Sequence, residues 1–265
     1  MKAANEVNYG ERHQQFESWF QTPLGRALLA DQRHFIEQQV ARLTGARQLH
    51  VGISHRLPVA TDSDFGQRIL TTPRWESDLP ESVAVCDADE LPFPSSSMNL
   101  VILHHSADFS AYPHQVIREG SRVVRGGGQL LIIGFNPVSA WGLRKLLFRH
   151  NNGPWGGRFL FRRRMEDWLS LLDFQVDDVQ SHFFRLPVQS TRDMGRPTLM
   201  ERTGACHFIQ IGAYYCILAT KRVCAPIARK PAWRKKNVIT LPTAGSLGIS
   251  RGYQRSNRTH GSKHG

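Results

Sequence analysis

Long hydrophobic runs are missing from this 265-residue chain. The apolar stretches it does have, such as Leu130 to Ile133, fall far short of the roughly 20 residues that cross a bilayer. Met1 to Gly10 is polar and has no apolar core of the kind that marks a secretory leader, so a soluble, cytoplasmic protein is expected. Cysteine is scarce as well. The four, Cys86, Cys206, Cys216 and Cys224, show no C-x-x-C spacing, and three sit in or beside apolar runs, where a reduced thiol behaves as a small hydrophobe. Neither a zinc site nor a disulfide framework is indicated, and no internal repeat is visible. At 40% hydrophobic residues the chain can bury one sizeable core.

Acidic residues are absent from the last stretch of the chain. Residues 221 to 265 hold 11 of the 34 Lys and Arg and none of the 22 Asp and Glu, so the body is nearly neutral and the tail makes the protein basic. Arg229-Lys230, Arg234-Lys235-Lys236, Arg251, Arg255, Arg258 and Lys263, interspersed with Trp233 and Tyr253, suit a segment that contacts phosphates and stacks on bases. RNA or DNA contact and a solvated, silent tail are both compatible with that composition. Beyond Val223 there is no periodicity and little hydrophobicity, so disorder is expected there.

Within the body, Glu11 to Phe20 and Leu24 to Leu43 carry apolar residues at helical spacing, with Thr22-Pro23 placed as N-cap and first helical residue. Short strands are expected at Gln48 to Ile53 and Arg68 to Thr72, separated by a polar, irregular stretch. Val83 to Cys86, Leu100 to His104 and Gln129 to Phe135 are apolar runs bounded by polar or Gly/Pro residues, the pattern of parallel strands buried on both faces. An amphipathic helix, Tyr112 to Val124, lies between the last two, with Arg125-Gly126-Gly127-Gly128 as its stop. Helical stretches at Ala140 to His150 and Arg164 to Leu172, and strands at Phe174 to Val179 and Phe208 to Lys221, complete the body. The fold class is α/β: a Rossmann-like, doubly wound, mostly parallel sheet with an antiparallel last strand. Residues 1–44 are expected to form helices packing on the core, 45–222 the main domain and 223–265 the basic tail.

Two stretches carry a family resemblance. They are Val85-Cys86-Asp87-Ala88-Asp89-Glu90-Leu91-Pro92-Phe93, running on to Ser97-Met98-Asn99-Leu100-Val101, and Glu119-Gly120-Ser121-Arg122-Val123-Val124-Arg125-Gly126-Gly127-Gly128. Together they resemble the class I methyltransferases of the type 11 family, which write these segments as D-A-x-x-L-P-F, S-F-D-x-V and E-x-x-R-V-L-x-P-G-G. The resemblance implies S-adenosyl-L-methionine as cofactor and methyl transfer to an acceptor that the sequence does not identify. It places Asp87 on the adenine amino group, the Ala88 backbone N–H on a ring nitrogen, and Leu91 and Phe93 as packing for the turn or a wall of the adenine slot. A carboxylate at the carboxyl end of a strand in a doubly wound sheet stands beside the ligand crevice, which gives Asp87 a physical reason to bind.

What the chain lacks, against that family, is the glycine-rich loop after the first strand. Leu49-His50-Val51-Gly52-Ile53-Ser54-His55-Arg56 keeps one glycine, Gly52, and has no acidic residue at the family spacing. No carboxylate closes the second strand either, where Leu70-Thr71-Thr72-Pro73-Arg74 leaves Glu76 and Asp78 further out. The sequence-derived site is therefore Gly52, Asp87, Ala88, Leu91 and His104 for the cofactor, with His105 as general base at the end of the fourth strand. Trp141, Phe148, Trp155, Phe159 and Phe161 are either an acceptor wall or core. The competing reading is a non-catalytic methyltransferase-like module that holds nucleic acid through its tail.

Overall fold

The structure is a computed structural model that describes residues 9–148, 152–187 and 211–223. Two helices, α1 (Tyr9–Trp19) and α2 (Pro23–Val40), precede the sheet. Thr22 caps α2: its Oγ1 accepts from the Gly25 N–H at 3.1 Å, and Pro23 follows at a position whose N–H has no helical partner. The strands are β1 (Gly45–Val51), β2 (Phe65–Thr72), β3 (Val83–Val85), β4 (Met98–His104), β5 (Val124–Phe135), β6 (Phe174–His182) and β7 (Tyr214–Lys221). They form one sheet in the order β3-β2-β1-β4-β5-β7-β6. All neighbours pair parallel except β7, which runs antiparallel between β5 and β6. The expected fold class is observed. The sequence-predicted last strand from Phe208 begins at Tyr214 among the described residues; Cys206, Cys224 and the basic tail beyond Val223 lie outside them.

Alternation along β4 and β5 shows why these runs are apolar throughout. Leu100, Ile102, Leu131, Ile133 and Phe135 join a core with Phe16, Phe20, Leu24, Leu28 and Ile36 of α1 and α2. Val101, Leu103, Leu130 and Ile132 join a second core with Val116 and Ile117 of α3 (Pro113–Val123) and Met165 and Leu169 of α5 (Arg162–Leu171). Both faces are covered, so neither can tolerate polar residues without partners. Between β5 and α5 lie α4 (Ala140–Leu147) and a 3₁₀ turn (Gly153–Gly156).

Two connections depart from the expected pattern. The glycines expected to stop α3 act one step later. The helix ends at Val123, Val124 is already extended, and β5 starts there. Between the pairs Met98↔Val124 and Leu100↔Gln129, β5 spends more residues than β4, and Arg125 to Gly128 form the resulting bulge. Gly127 has φ +74°, and a Cβ on Gly128 would stand 2.8 Å from the Asn99 carbonyl oxygen, so the bulge requires glycine. The second departure lies between β1 and β2, where residues 52–64 contain no helix. A doubly wound domain ordinarily turns there into a helix whose N-terminus faces the ligand. Among the described residues no helix is long and apolar enough to cross a membrane.

Candidate functional site

The carboxyl ends of β1 to β4 surround a cleft of about 240 Å³. Its wall includes Gly52 and Ile53 after β1, Pro73 after β2, Asp87, Ala88 and Asp89 after β3, and Ser106 and Phe109 after β4. Tyr9 and His13 of α1 complete it. Three of the sequence-derived residues, Gly52, Asp87 and Ala88, are thus brought together from separate strands at the sheet edge where ligands bind in this architecture. Ser54, His55 and Arg56, which follow Gly52 and Ile53 in the chain, do not line it. Arg56 turns outward to Glu17 at 3.4 Å and Glu76 at 2.6 Å, tying the β1–β2 loop to α1 and to the loop after β2.

The two stretches that carry the resemblance hold each other. The carboxylate of Glu119 accepts from the Leu91 N–H at 3.2 Å. Arg122 donates to the carbonyls of Leu91 and Phe93, both at 2.8 Å, and pairs with Glu119 at 2.7 Å. A charged pair on α3 therefore clamps the turn that follows Asp87 and Ala88, and the hydrogen bond from Arg122 holds the Glu119 carboxyl below its ordinary range. Leu91 packs in the core against α3 and does not reach the cleft, so it serves the turn and not an adenine wall.

His104 and His105 lie beneath the cleft and not in it. His105 is 0% exposed; Phe135 stacks on its ring and Phe16 meets it edge-on. Gln32, fully buried on α2, bridges the pair: its Oε1 accepts from His104 Nε2 at 3.0 Å and its amide nitrogen donates to His105 Nε2 at 2.8 Å. That leaves the His105 proton on Nδ1, donated at 2.8 Å to Asp108 Oδ2, which also accepts from the Phe135 N–H at 3.0 Å. Both ring nitrogens of His105 are engaged inside the core, and no face of the ring meets the cleft. The base expected at His105 is accordingly placed where it can position the β4 end but cannot touch an acceptor. Burial, reinforced by the neighbouring His105 and His50, keeps His104 well below the usual histidine range and therefore neutral.

Sequence reasoning missed the cleft residues Ser106 and His13, and also His50, which lies against Gly52 without lining the cleft. Ser106 is 4% exposed, lines the cleft, and its Oγ has no hydrogen-bond partner. His13 lines the opposite side, its Nε2 3.2 Å from the Phe109 carbonyl oxygen, and burial lowers its pKa against the opposing pull of Asp87. His50, two residues before Gly52, has both ring nitrogens buried without a partner and is pushed down to about 4 by burial. A Cβ on Gly52 would stand 3.3 Å from His50 Nε2, so glycine is what lets the chain pass over that ring. His50 precedes Gly52 by two residues, and only the fold shows that its ring is buried against that glycine. Of the aromatic residues after β5, Trp141, Trp155 and Phe159 pack in the core, whereas Phe148 and Phe161 are exposed.

Comparison with known proteins bears on the family and the fold. Residues 55–132 match the methyltransferase domain family. An uncharacterized Escherichia coli protein, YafS, is 34% identical over 152 residues, covering 57% of this chain and 59% of YafS. The ubiquinone/menaquinone biosynthesis C-methyltransferase UbiE of Laribacter hongkongensis is 38% identical over 79 residues, 29% of this chain and 32% of that protein. The chain thus spans well under two thirds of either relative. Among solved structures, a SAM-dependent methyltransferase from Thermotoga maritima superposes with a TM-score of 0.52 at 17% identity, covering 81% of this chain and 98% of that one. A geranyl diphosphate C-methyltransferase from Streptomyces coelicolor gives 0.50 at 15% identity, covering 83% and 100%. Residues 55–132 are thus similar to the methyltransferase domain family, and the described chain shares the Rossmann-like fold of solved S-adenosylmethionine-dependent methyltransferases.

Proposed function

We propose that the protein is an S-adenosyl-L-methionine-dependent methyltransferase acting on an acceptor still to be identified. The observation that carries this reading is the cleft itself, where Gly52, Asp87, Ala88 and the unpartnered hydroxyl of Ser106 converge at the carboxyl ends of β1, β3 and β4. The residues present fit the cofactor. Glycine stands where a side chain would press on His50, an exposed carboxylate follows β3, and a buried hydroxyl awaits a polar partner. Bound there, the cofactor would supply an electrophilic methyl group.

In this assignment Asp87 accepts from the adenine amino group and the Ala88 N–H donates to the ring. Asp89, also in the cleft, is a second carboxylate available to the cofactor's hydroxyl groups. Ser106 meets the polar methionine end, supported from below by His105 and His104. An acceptor that loses a proton would find His13 in the cleft. Its Nε2–H is spent on the Phe109 carbonyl, which leaves Nδ1 with a free lone pair on a ring held neutral by burial. Methyl transfer needs little more than this alignment. Calorimetric titration of the full chain with S-adenosylmethionine and with its demethylated product tests the reading. Saturable binding of either supports it, and binding of neither overturns it.

A second reading is favoured by one observation, the 11 basic and no acidic residues from 221 to 265. In it the tail holds RNA or DNA. Affinity for a nucleic acid should then fall steeply with salt and disappear on truncation after Val223; affinity that survives either change refutes it.

A further inference from the structure

In α4 the apolar stripe points away from the body of the protein. Leu143, Leu146 and Leu147 stand at i, i+3 and i+4, the spacing of a stripe that ordinarily faces the core. Here the three leucines are 56%, 78% and 65% exposed, and Phe148, which follows them, is 58% exposed. Trp141, on the opposite side, is the one buried residue of the helix. Four large apolar side chains exposed together in residues 143–148 form a patch of the kind that marks an interaction surface. Charge sets the chemistry of what covers it. Residues 120–165 hold 9 Lys and Arg and no Asp or Glu. Arg144 and Lys145 lie on α4 between the leucines, and Arg158, Arg163 and Arg164 are exposed. Val138 and Phe161, each 59% exposed, share a cavity wall with Arg163 beyond the carboxyl end of β5, the end from which the chain runs into α4. An apolar stripe among cations is the composition of an interfacial helix, whose leucines enter the acyl boundary while Lys and Arg meet anionic headgroups. A nucleic acid would take the cations and leave the leucines in water. A second copy of the chain would set one cationic face on another.

We infer that α4 docks the protein on the surface of an anionic phospholipid bilayer. Leu143, Leu146, Leu147 and Phe148 enter the boundary between headgroups and acyl chains, and the neighbouring Arg and Lys meet the lipid phosphates. The surface stands without the methyltransferase reading, but it shares the carboxyl edge of the sheet with the cofactor cleft. Lys145 Nζ donates to the carbonyls of Trp155, at 3.0 Å, and Gly157. Arg158, next in the chain, donates its N–H to the Asp108 carbonyl at 2.6 Å and its guanidinium to the Ala111 carbonyl at 3.1 Å. Ala111 lines the cleft, so α4 is braced on the loop that forms the cleft wall.

The test is co-sedimentation of the full chain, without S-adenosylmethionine, with vesicles of phosphatidylcholine alone or with about one third phosphatidylglycerol. The wild type should bind the anionic vesicles about tenfold or more tightly than the neutral ones. Leu146→Gln/Leu147→Gln should weaken that binding by about tenfold or more with the melting temperature unchanged, since glutamine forms helix nearly as well as leucine. Because the basic residues 221–265 remain in every variant, a loss on changing two uncharged leucines reports on α4 itself. Arg163→Gln should weaken binding by about fivefold. Leu171→Gln should bind as the wild type does: Leu171 is 79% exposed but ends α5, just before β6 enters the sheet at the opposite edge. Equal vesicle binding by the wild type and the double variant, or an equal loss in Leu171→Gln, would overturn the proposal. A lower melting temperature of the double variant without vesicles would assign the leucines to a contact within the chain. A wild-type dimer that the substitutions dissociate would assign the face to a second copy, and a matching loss of oligothymidylate affinity would assign it to nucleic acid; each overturns the bilayer. Failure of the cofactor titration with vesicle binding intact would count against the methyltransferase reading only.

Discussion

Replacing His105 by alanine separates a positioning role from a catalytic one. In the folded chain His105 donates to a carboxylate that is itself 1% exposed, accepts from Gln32, and fills the space between Phe16 and Phe135. Truncation leaves Asp108 with one contact fewer in a site where burial already pushes its carboxyl upward, and it orphans the Gln32 amide. Leaving two buried polar groups each short of a partner, at about 1–3 kcal/mol apiece, costs about 2–6 kcal/mol. The left-handed backbone at His105, φ +54°, adds strain that alanine does not relieve. For a folded body of this size each kcal/mol lowers the melting temperature by roughly 2–4 °C. A fall on the order of 10 °C is therefore expected for His105→Ala by calorimetry or thermal fluorescence. His105→Asn should recover part of it, since asparagine tolerates this φ and its amide can donate to Asp108. Unchanged stability with abolished methyl transfer would refute the positioning role and restore His105 as the base.

Three further outcomes follow from the same geometry. Ser106→Ala should leave stability unchanged or slightly raised while weakening S-adenosylmethionine in calorimetric titration by about 5- to 10-fold, the worth of one hydrogen bond; an unchanged affinity would remove Ser106 from the site. Arg122→Gln should release the turn after Asp87, seen as faster amide exchange at Ala88 to Leu91 and weaker cofactor binding. Because Glu119 is held below its ordinary range when folded, its contribution is present above its unfolded pKa and is lost as pH falls through the folded value, so Arg122→Gln should flatten the acid limb of the stability profile. His50 gives the other pH signature: unfolded it protonates near 6.5, folded only near 4, so the unfolded chain binds the extra proton between those values and stability falls as pH drops through that window. From pH 6.5, where the unfolded histidine is already half protonated, to pH 5 that is about 1.6 kcal/mol. Urea titrations of wild type and His50→Leu at both pH values should differ in slope by about one proton; equal slopes would show that His50 is protonated in the fold.

Local pattern and chemistry by themselves determined much of this protein. The apolar runs at Leu100 to His104 and Gln129 to Phe135 read as strands covered on both faces, and Thr22-Pro23 reads as the opening of a helix. The turn from Asp87 to Phe93 announced a ligand edge, and the charge of residues 221–265 is a matter of composition alone. Tertiary structure decided the rest, because it depends on contacts between residues far apart in the chain. Nothing in the histidine pair itself says that Gln32, on α2, will bury both rings and take His105 away from the cleft. Glu119 and Arg122 read as a helix end, but only their reach across 28 or more positions shows that they clamp the turn bearing Asp87 and Ala88. Ser106, His13 and His50 carry no motif, and they gain chemical meaning only from burial and from what is missing around them: partners for the hydroxyl of one and the ring nitrogens of another, and a glycine-rich loop whose place the fold fills by other means.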